Sequence, residues 1–291
     1  MEHLLKPLHS CPVESCDYKG SKNATYQHYH RNHLQDKIEK YMRKAFECEE
    51  CNYRYSTRQS LHVHRKKCQD IHRNRLIKEL RKLANHDIEP THLINDPVIV
   101  ECDVKVREVW EELHRTQMAK DGTLFRVVIM DAPWDRTCLP LKYDTLTDKQ
   151  IKEMPIELVQ EEGFLFMWVT NSKPESALSF FKKHGYRWIE TIVWVKLTKR
   201  GTVFKGQGKY IQHGCELCMV GVKGRYEDIK QFGKFKSSLN VIVEEMREAS
   251  QKPEALYKIA EKLVPNDPFL EIFGRKHNIR RGWTTMGNQL S

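Results

Sequence analysis

FRVVIMDAPWD, residues 125–135, decides how the rest of the chain is read. Its centre is an unbroken apolar run rich in β-branched residues, the composition of a strand buried on both faces. The run ends on Asp131, and the Ala132-Pro133-Trp134 that follows stops the strand, because proline lacks a backbone donor and fixes φ. An acid at the tip of such a strand faces the crevice in which open α/β sheets bind their ligands.

Working outward, similar runs recur at 98–104 (VIVECDV), 163–170 (GFLFMWVT), 191–196 (TIVWVK), 216–224 (ELCMVGVKG), 241–245 (VIVEE) and 268–274 (PFLEIFG). Helix-period segments fill 105–118, 173–184 and 253–263. The alternation predicts an α/β domain over 96–291, a mostly parallel sheet with helices on both faces. Cys215 and Cys218 fall inside one of these runs and read as strand residues; Cys102 and Cys138 carry no assignment.

The remaining residues belong to something else. At 291 residues the chain has room for one full-size domain and a small one. A composition 40 % hydrophobic and 10 % aromatic excludes disordered, collagen-like and mucin-like chains. The formal charge of +10 points to an anionic partner. Residues 1–90 hold 18 Lys+Arg against 12 Asp+Glu, together with five of the nine Cys and nine of the fourteen His. The opening MEHLLKPLHS lacks the apolar core of a secretory leader, and no run approaches the ~20 apolar residues that span a bilayer. The chain is therefore expected to be intracellular, without a membrane partner, where clustered Cys and His bind metal rather than form disulfides.

In FECEECNYRYSTRQSLHVHRKKC (46–68), Cys48 and Cys51 stand two apart, His64 follows after twelve residues and Cys68 after three more. A thiolate pair on a hairpin facing two ligands one helical turn apart gives zinc its tetrahedron. Phe46, Tyr55 and Leu61 supply the small core such a module needs. An earlier segment offers Cys11, Cys16 and a choice among His28, His30 and His33; the five-residue separation of His28 and His33 favours that pair. These are zinc finger 1 (residues 1–40) and zinc finger 2 (41–70). In the second, the base-reading helix positions fall on Thr57, Ser60 and Val63, which make none of the bidentate base contacts of Arg or Asn. Arg54, Arg58, Arg65, Lys66 and Lys67 are suited to phosphates instead. A basic amphipathic helix at 69–85 and a linker occupy 71–95, with the apolar stripe expected to dock on the following domain or a partner.

The pieces ECDV (101–104), MDAPWD (130–135), LKYDTLTD (141–148), EGFLFMWVT (162–170), IVWVK (192–196), HGCELCMVGVKG (213–224), QKPEALY (251–257), FGRKHNIRRGW (273–283) and MGNQL (286–290) occur in one order. Taken together, residues 98–290 resemble the catalytic domain of the eukaryotic N6-adenine methyltransferases, the family of the messenger-RNA adenosine methyltransferase and of related ciliate and fungal-type DNA adenine methyltransferases. The resemblance implies a Rossmann-like, S-adenosylmethionine-dependent domain. It implies that Asp131 and a neighbouring backbone carbonyl hold the target amino group, beside Pro133 and Trp134, with Tyr143 flanking the base. It also implies a cofactor site in which Asp103 and Val104 contact the adenine and Asp131 and Lys252 lie near the methionine end. Arg275, His277 and Asn278 would line the ribose and carboxylate region, with Asn288 and Gln289 completing the ribose contacts. The family's Asp-Pro-Pro-Trp is departed from at one position, Ala132, which keeps a carbonyl but loses proline's fixed φ. Three functions follow as expectations: a nuclear DNA adenine methyltransferase paired with a degenerate paralogue, favoured by the finger type; an RNA adenosine methyltransferase with the same pocket; or a non-catalytic scaffold.

Overall fold

A computed structural model describes residues 9–10, 16–32, 46–49, 51, 53–55, 57–85, 93, 95–135, 144–208, 210–224, 239–247, 250–265 and 268–291, with backbone only at 30–32, 54, 72–73, 81 and 83–85. The chain divides into two compact units, Met1–Arg75 and Leu76–Ser291.

The first unit repeats one small design. A two-residue hairpin pairs β1 (His9–Ser10) with β2 (Lys19–Gly20), followed by α1 (Lys22–Asn32). A second hairpin pairs β3 (Phe46–Glu47) with β4 (Arg54–Tyr55), followed by the start of α2 (Arg58–Asn85). Too few residues are available for an ordinary core: in the second repeat Cys48, Leu61 and Cys68 are buried, with Tyr55 packed against them. α2 runs unbroken because 58–85 contains neither Gly nor Pro and is rich in Arg, Lys and Leu. The basic helix expected at 69–85 is thus the continuation of the finger helix.

The second unit is built on an eight-stranded sheet. Its strands are β5 (Val98–Glu101), β6 (Val127–Met130), β7 (Gly163–Val169), β8 (Arg187–Leu197), β9 (Cys215–Lys223), β10 (Val241–Glu245), β11 (Phe269–Ile272) and β12 (Trp283–Gly287), in the order β10-β8-β9-β7-β6-β11-β12-β5. β9 runs antiparallel to β7 and β8, and every other pairing is parallel. The seven expected runs all carry strands. β12 is an eighth that the pattern missed, because Trp283-Thr-Thr-Met-Gly is neither an apolar run nor an alternation, although all five residues are buried.

The period-two pleat sorts each strand onto two faces. Val128 and Met130 of β6 point into one core with Trp110 and Leu113 of α3 (Arg107–Asp121) and Phe180 and Phe181 of α5 (Pro174–His184). Val127 and Ile129 point into the other, against Leu256, Tyr257 and Ile259 of α6 (Glu254–Leu263). Each buried aromatic or aliphatic side chain stabilises the domain by roughly 1.5–3 kcal/mol. The short α4 (Asp148–Lys152) lies between β6 and β7 and starts on a Thr147/Gln150 capping box. On the sheet's far side Ile77 of α2 is buried with Leu197 and Val243, whereas Leu76 and Leu80 remain exposed, so the stripe is covered only in part. β6 lies between β7, next in sequence, and the late β11; the strand order turns there, and open sheets bind ligands at that point.

Candidate active site

Asp131 follows β6 directly, on the α6 side of the sheet. Lys252, just ahead of α6, reaches it with Nζ 3.1 Å from Asp131 Oδ2. The same ammonium donates to Glu216 Oε2 at 3.1 Å and sits 5.1 Å from the centre of the Trp168 ring. Glu216 also pairs with Lys196, so acid and base alternate along Asp131, Lys252, Glu216 and Lys196. Three different strand ends and one helix start deliver these four side chains. Among the described strands only β9 brings its first residues to this edge, because it is the reversed one; that is how Glu216 arrives.

The charges tune one another. Burial raises the Asp131 pKa and Glu216 adds to the rise, while Lys252 and Arg275 oppose it. Burial also works against the Glu216 carboxylate, but Lys252 and Lys196 outweigh it and hold that group down at about 2. Lys252 loses solvent too, yet the two carboxylates keep its pKa above the ordinary value. A cation thus stays beside Asp131 and favours its ionised, hydrogen-bond-accepting form.

The turn after Asp131 is tightly held. Ala132 O accepts from Trp134 N at 2.8 Å, and Pro133 O accepts from Leu146 N at 2.8 Å. The Trp134 indole is buried and donates to Trp168 O at 2.9 Å, so it braces the turn against β7 instead of facing solvent. Ala132 is itself buried within the core. Packing and the Trp134 bond hold a position that proline's ring would otherwise restrict. Tyr143 lies outside the described residues, as does Cys138.

The other expected ligand residues follow neighbouring strands of the same edge: Asp103 and Val104 after β5, Arg275, His277 and Asn278 after β11, and Asn288 and Gln289 after β12. Arg275 bridges Gln289, and Lys276 N donates to Gln289 O at 2.9 Å. Asn288 and Gln289 are exposed; Asp103 is half exposed, with Oδ1 accepting from Lys105 N at 3.0 Å. Val104 is buried, its carbonyl taken by the Trp110 indole at 2.8 Å. Asn278 points inward: its Oδ1 accepts from Arg275 N and its Nδ2 donates to Tyr257 OH, both at 2.8 Å. It shapes the loop. Exposed amides and a carboxylate beside paired charges of both signs form a donor set that fits a ribose, a zwitterion and a sulfonium. The ends of β11 and β12 approach so closely that a Cβ on Gly287 would stand 2.4 Å from Gly274 O.

Glu271, two residues before Phe273 on the Asp131 face, has no sequence signal at all. Tyr257 OH donates to its Oε1 at 2.8 Å, while among the described residues Oε2 is buried without a partner, as is Oγ1 of its register neighbour Thr285. Burial pushes its pKa up to about 8. Glu216 and Lys196 were likewise missed; both lay inside quoted motifs, but a strand's sequence does not show which of its residues meet a charge.

In the first unit, the ligand atoms of Cys48, Cys51, His64 and Cys68 all lie within 4.8 Å of one another, with Cys51 Sγ 3.2 Å from His64 Nε2. Three thiols and an imidazole at that spacing suit tetrahedral zinc. Burial and the Cys51 and Cys48 thiols push the Cys68 thiol up to about 12, so the thiolates need a cation among them. Of the other set, Cys16 Sγ and His28 Nε2 lie 3.1 Å apart, with Tyr18 stacked on His28; Cys11 and His33 lie outside the described residues, as does the His30 side chain.

The chain is similar to known proteins over much of the second unit. The MT-A70 family matches residues 125–289. The N(6)-adenosine-methyltransferase catalytic subunit METTL3 of Homo sapiens is 38 % identical over 168 residues, 57 % of this chain and 28 % of that protein. The N(6)-adenosine-methyltransferase MT-A70-like protein of Drosophila melanogaster is 26 % identical over 306 residues, 99 % of this chain and 47 % of that protein. The METTL14 non-catalytic subunit of the same organism is 29 % identical over 143 residues, 46 % of this chain and 36 % of that protein. The chain spans less than half the length of these relatives.

Proposed function

The chain belongs to the MT-A70 family, and from that premise we propose that it is an S-adenosylmethionine-dependent methyltransferase acting on the N6 amino group of adenosine in RNA. The observation that carries the reading is the Asp131–Lys252–Glu216 constellation at the carboxyl edge of the sheet, beside a donor set suited to the cofactor. Asp103, Lys252, Arg275, Asn288 and Gln289 would hold the cofactor, which supplies an electrophilic methyl group when bound.

The chain's own part is orientation. An aromatic amine has its lone pair drawn into the ring, so it attacks only when its N–H bonds are held and the lone pair is aimed. The Asp131 carboxylate accepts one N–H, and a carbonyl of the turn accepts the other. Ala132 O has a second lone pair beyond the Trp134 bond, whereas Pro133 O is engaged by Leu146. Lys252 opposes the rise that burial imposes on Asp131 and so favours the accepting, ionised form. The buried Trp134 fixes the turn, and the hydrophobic shell of Trp168 and Trp194 keeps water from weakening these bonds.

RNA is preferred to DNA because two of the relatives named above bear the name N(6)-adenosine-methyltransferase without the word non-catalytic, and the Drosophila MT-A70-like match runs through the finger region as well as the catalytic domain. The finger type, which favours DNA, bears only on how substrate is gripped. The same proposal includes two structural zinc ions, a degenerate methyltransferase paralogue as partner, for which the METTL14 likeness is the support, and a nuclear location, tested by imaging the tagged chain.

The experiment compares methyl transfer to matched single-stranded RNA, single-stranded DNA and duplex DNA, with the chain alone and co-expressed with a paralogue. Transfer to RNA that Asp131→Asn abolishes without loss of cofactor binding is expected. Preferred transfer to DNA would overturn the substrate, and no cofactor binding in either state would leave the scaffold reading.

A further inference from the structure

Arg58, Leu61, His62 and Arg65 are spaced three and four apart and share one face of α2. With Phe46 and Glu47 of β3 opposite, they line a groove of about 570 Å³. Leu61 is 6 % exposed and forms part of the groove's base; Phe46 is 39 % exposed and presents ring surface. Arg65 is held in place by Glu49, 3.0 Å from its guanidinium.

This is not the face on which a zinc finger reads base edges. There, Thr57 Oγ1 accepts from Ser60 N at 3.1 Å and donates to Ser60 Oγ at 2.7 Å. Two of the three reading positions spend their polar groups starting the helix, and the third is Val63. The groove beside the adjacent face holds what the reading face lacks: an exposed aromatic ring lining the same space as two arginines. That chemistry suits an unpaired nucleotide, whose base stacks on the ring while its phosphates meet the guanidiniums. A duplex hides its base faces, and a peptide helix would leave the arginines without phosphates.

We propose that the groove between β3 and the first turns of α2 is a sequence-tolerant slot for single-stranded RNA, in which Phe46 stacks one unpaired base and Arg58 and Arg65 hold the flanking phosphates. The slot rests on the RNA substrate proposed above and says how that substrate is gripped.

The test uses the zinc-loaded full chain and a fluorescein-labelled RNA oligonucleotide, single-stranded or annealed to its complement, followed by anisotropy. Single strands should bind more tightly than duplex. Phe46→Leu keeps apolar bulk but loses the ring; it should weaken single-strand binding about tenfold with zinc content unchanged. Arg58→Ala should reduce the slope of log K against log salt by about 0.7, one phosphate on a single strand. Val63→Ala should change nothing. Equal affinity for duplex, binding indifferent to both Phe46→Leu and Arg58→Ala, or loss on Val63→Ala would overturn the slot. Methyl transfer to RNA separates the two proposals: Phe46-dependent binding without transfer leaves the slot and removes the substrate, whereas transfer with unchanged KM in both variants does the reverse.

Discussion

Lys252 Nζ stands 3.1 Å from Asp131 Oδ2, tying the start of α6 to the tip of β6. The lysine is the main group opposing the effect of burial on Asp131. Lys252→Met should leave two partly buried carboxylates without the cation between them, at a cost of up to about 3 kcal/mol. It should also raise the Asp131 pKa further, moving the acid limb of the kcat/KM profile to higher pH, and Lys252→Arg should move it back. A pH–rate profile checks this; an acid limb that stays in place in the methionine variant would show that the pair does not govern Asp131.

Glu271 gives the fold a pH dependence of definite sign. Its folded pKa of about 8 lies above the ordinary 4.5, so between those values the folded state holds a proton that the unfolded state has released. Stability is complete below about 4.5 and declines as pH rises through about 8. Glu271→Gln mimics the protonated acid and should flatten this decline, raising Tm at pH 8 more than at pH 5. Equal Tm changes at the two pH values would refute it.

Removing metal should act on one unit. The core around Cys48, Leu61 and Cys68 is too small to stand alone, and structural zinc contributes on the order of 10 kcal/mol to such modules. Cys51→Ser should lower the zinc content by one ion per chain and open residues 46–68 to protease. The fragment beyond residue 98 should keep its cooperative melt, which calorimetry would detect.

Gly287→Ala would place a methyl group against the Gly274 carbonyl, a backbone atom that cannot swing aside. The ends of β11 and β12 must then part, at about 1–3 kcal/mol by the usual cost of overpacking. Because Asn288 and Gln289 follow immediately, cofactor affinity should fall tenfold or more in a labelled-cofactor titration. A drop in Tm with unchanged affinity would place the strain elsewhere.

The sheet was legible from its apolar runs because a strand buried on both faces writes its environment into its composition; Val127 to Met130 is the clearest case. β12 was not, since Thr284 and Thr285 are polar residues made core by their neighbours. In the site, Asp131 was visible as an acid ending an apolar run. Glu216 was not visible, because its role depends on β9 running backwards, and direction within a sheet is a property of partners. Asn278 shows the opposite case: a residue expected to face a ligand turns inward because Tyr257 and the Arg275 backbone satisfy its amide.

The reversed β9 has a further effect on what can be altered in this protein. A parallel crossover must carry the chain the full length of the sheet, but β8 and β9 form a hairpin whose connection, residues 198–214, turns back at the edge where Asp131 ends β6. Tyr210 and Ile211 project from that arm into solvent. Among its described residues the connection contains no helix and folds back on itself through the Leu197–Val203 and Gly206–His213 bridges, so its tip should be open to lengthening, shortening or exchange while the eight strands keep their register. Engineering a new substrate preference should begin with that arm, the part of the rim whose replacement leaves the scaffold intact.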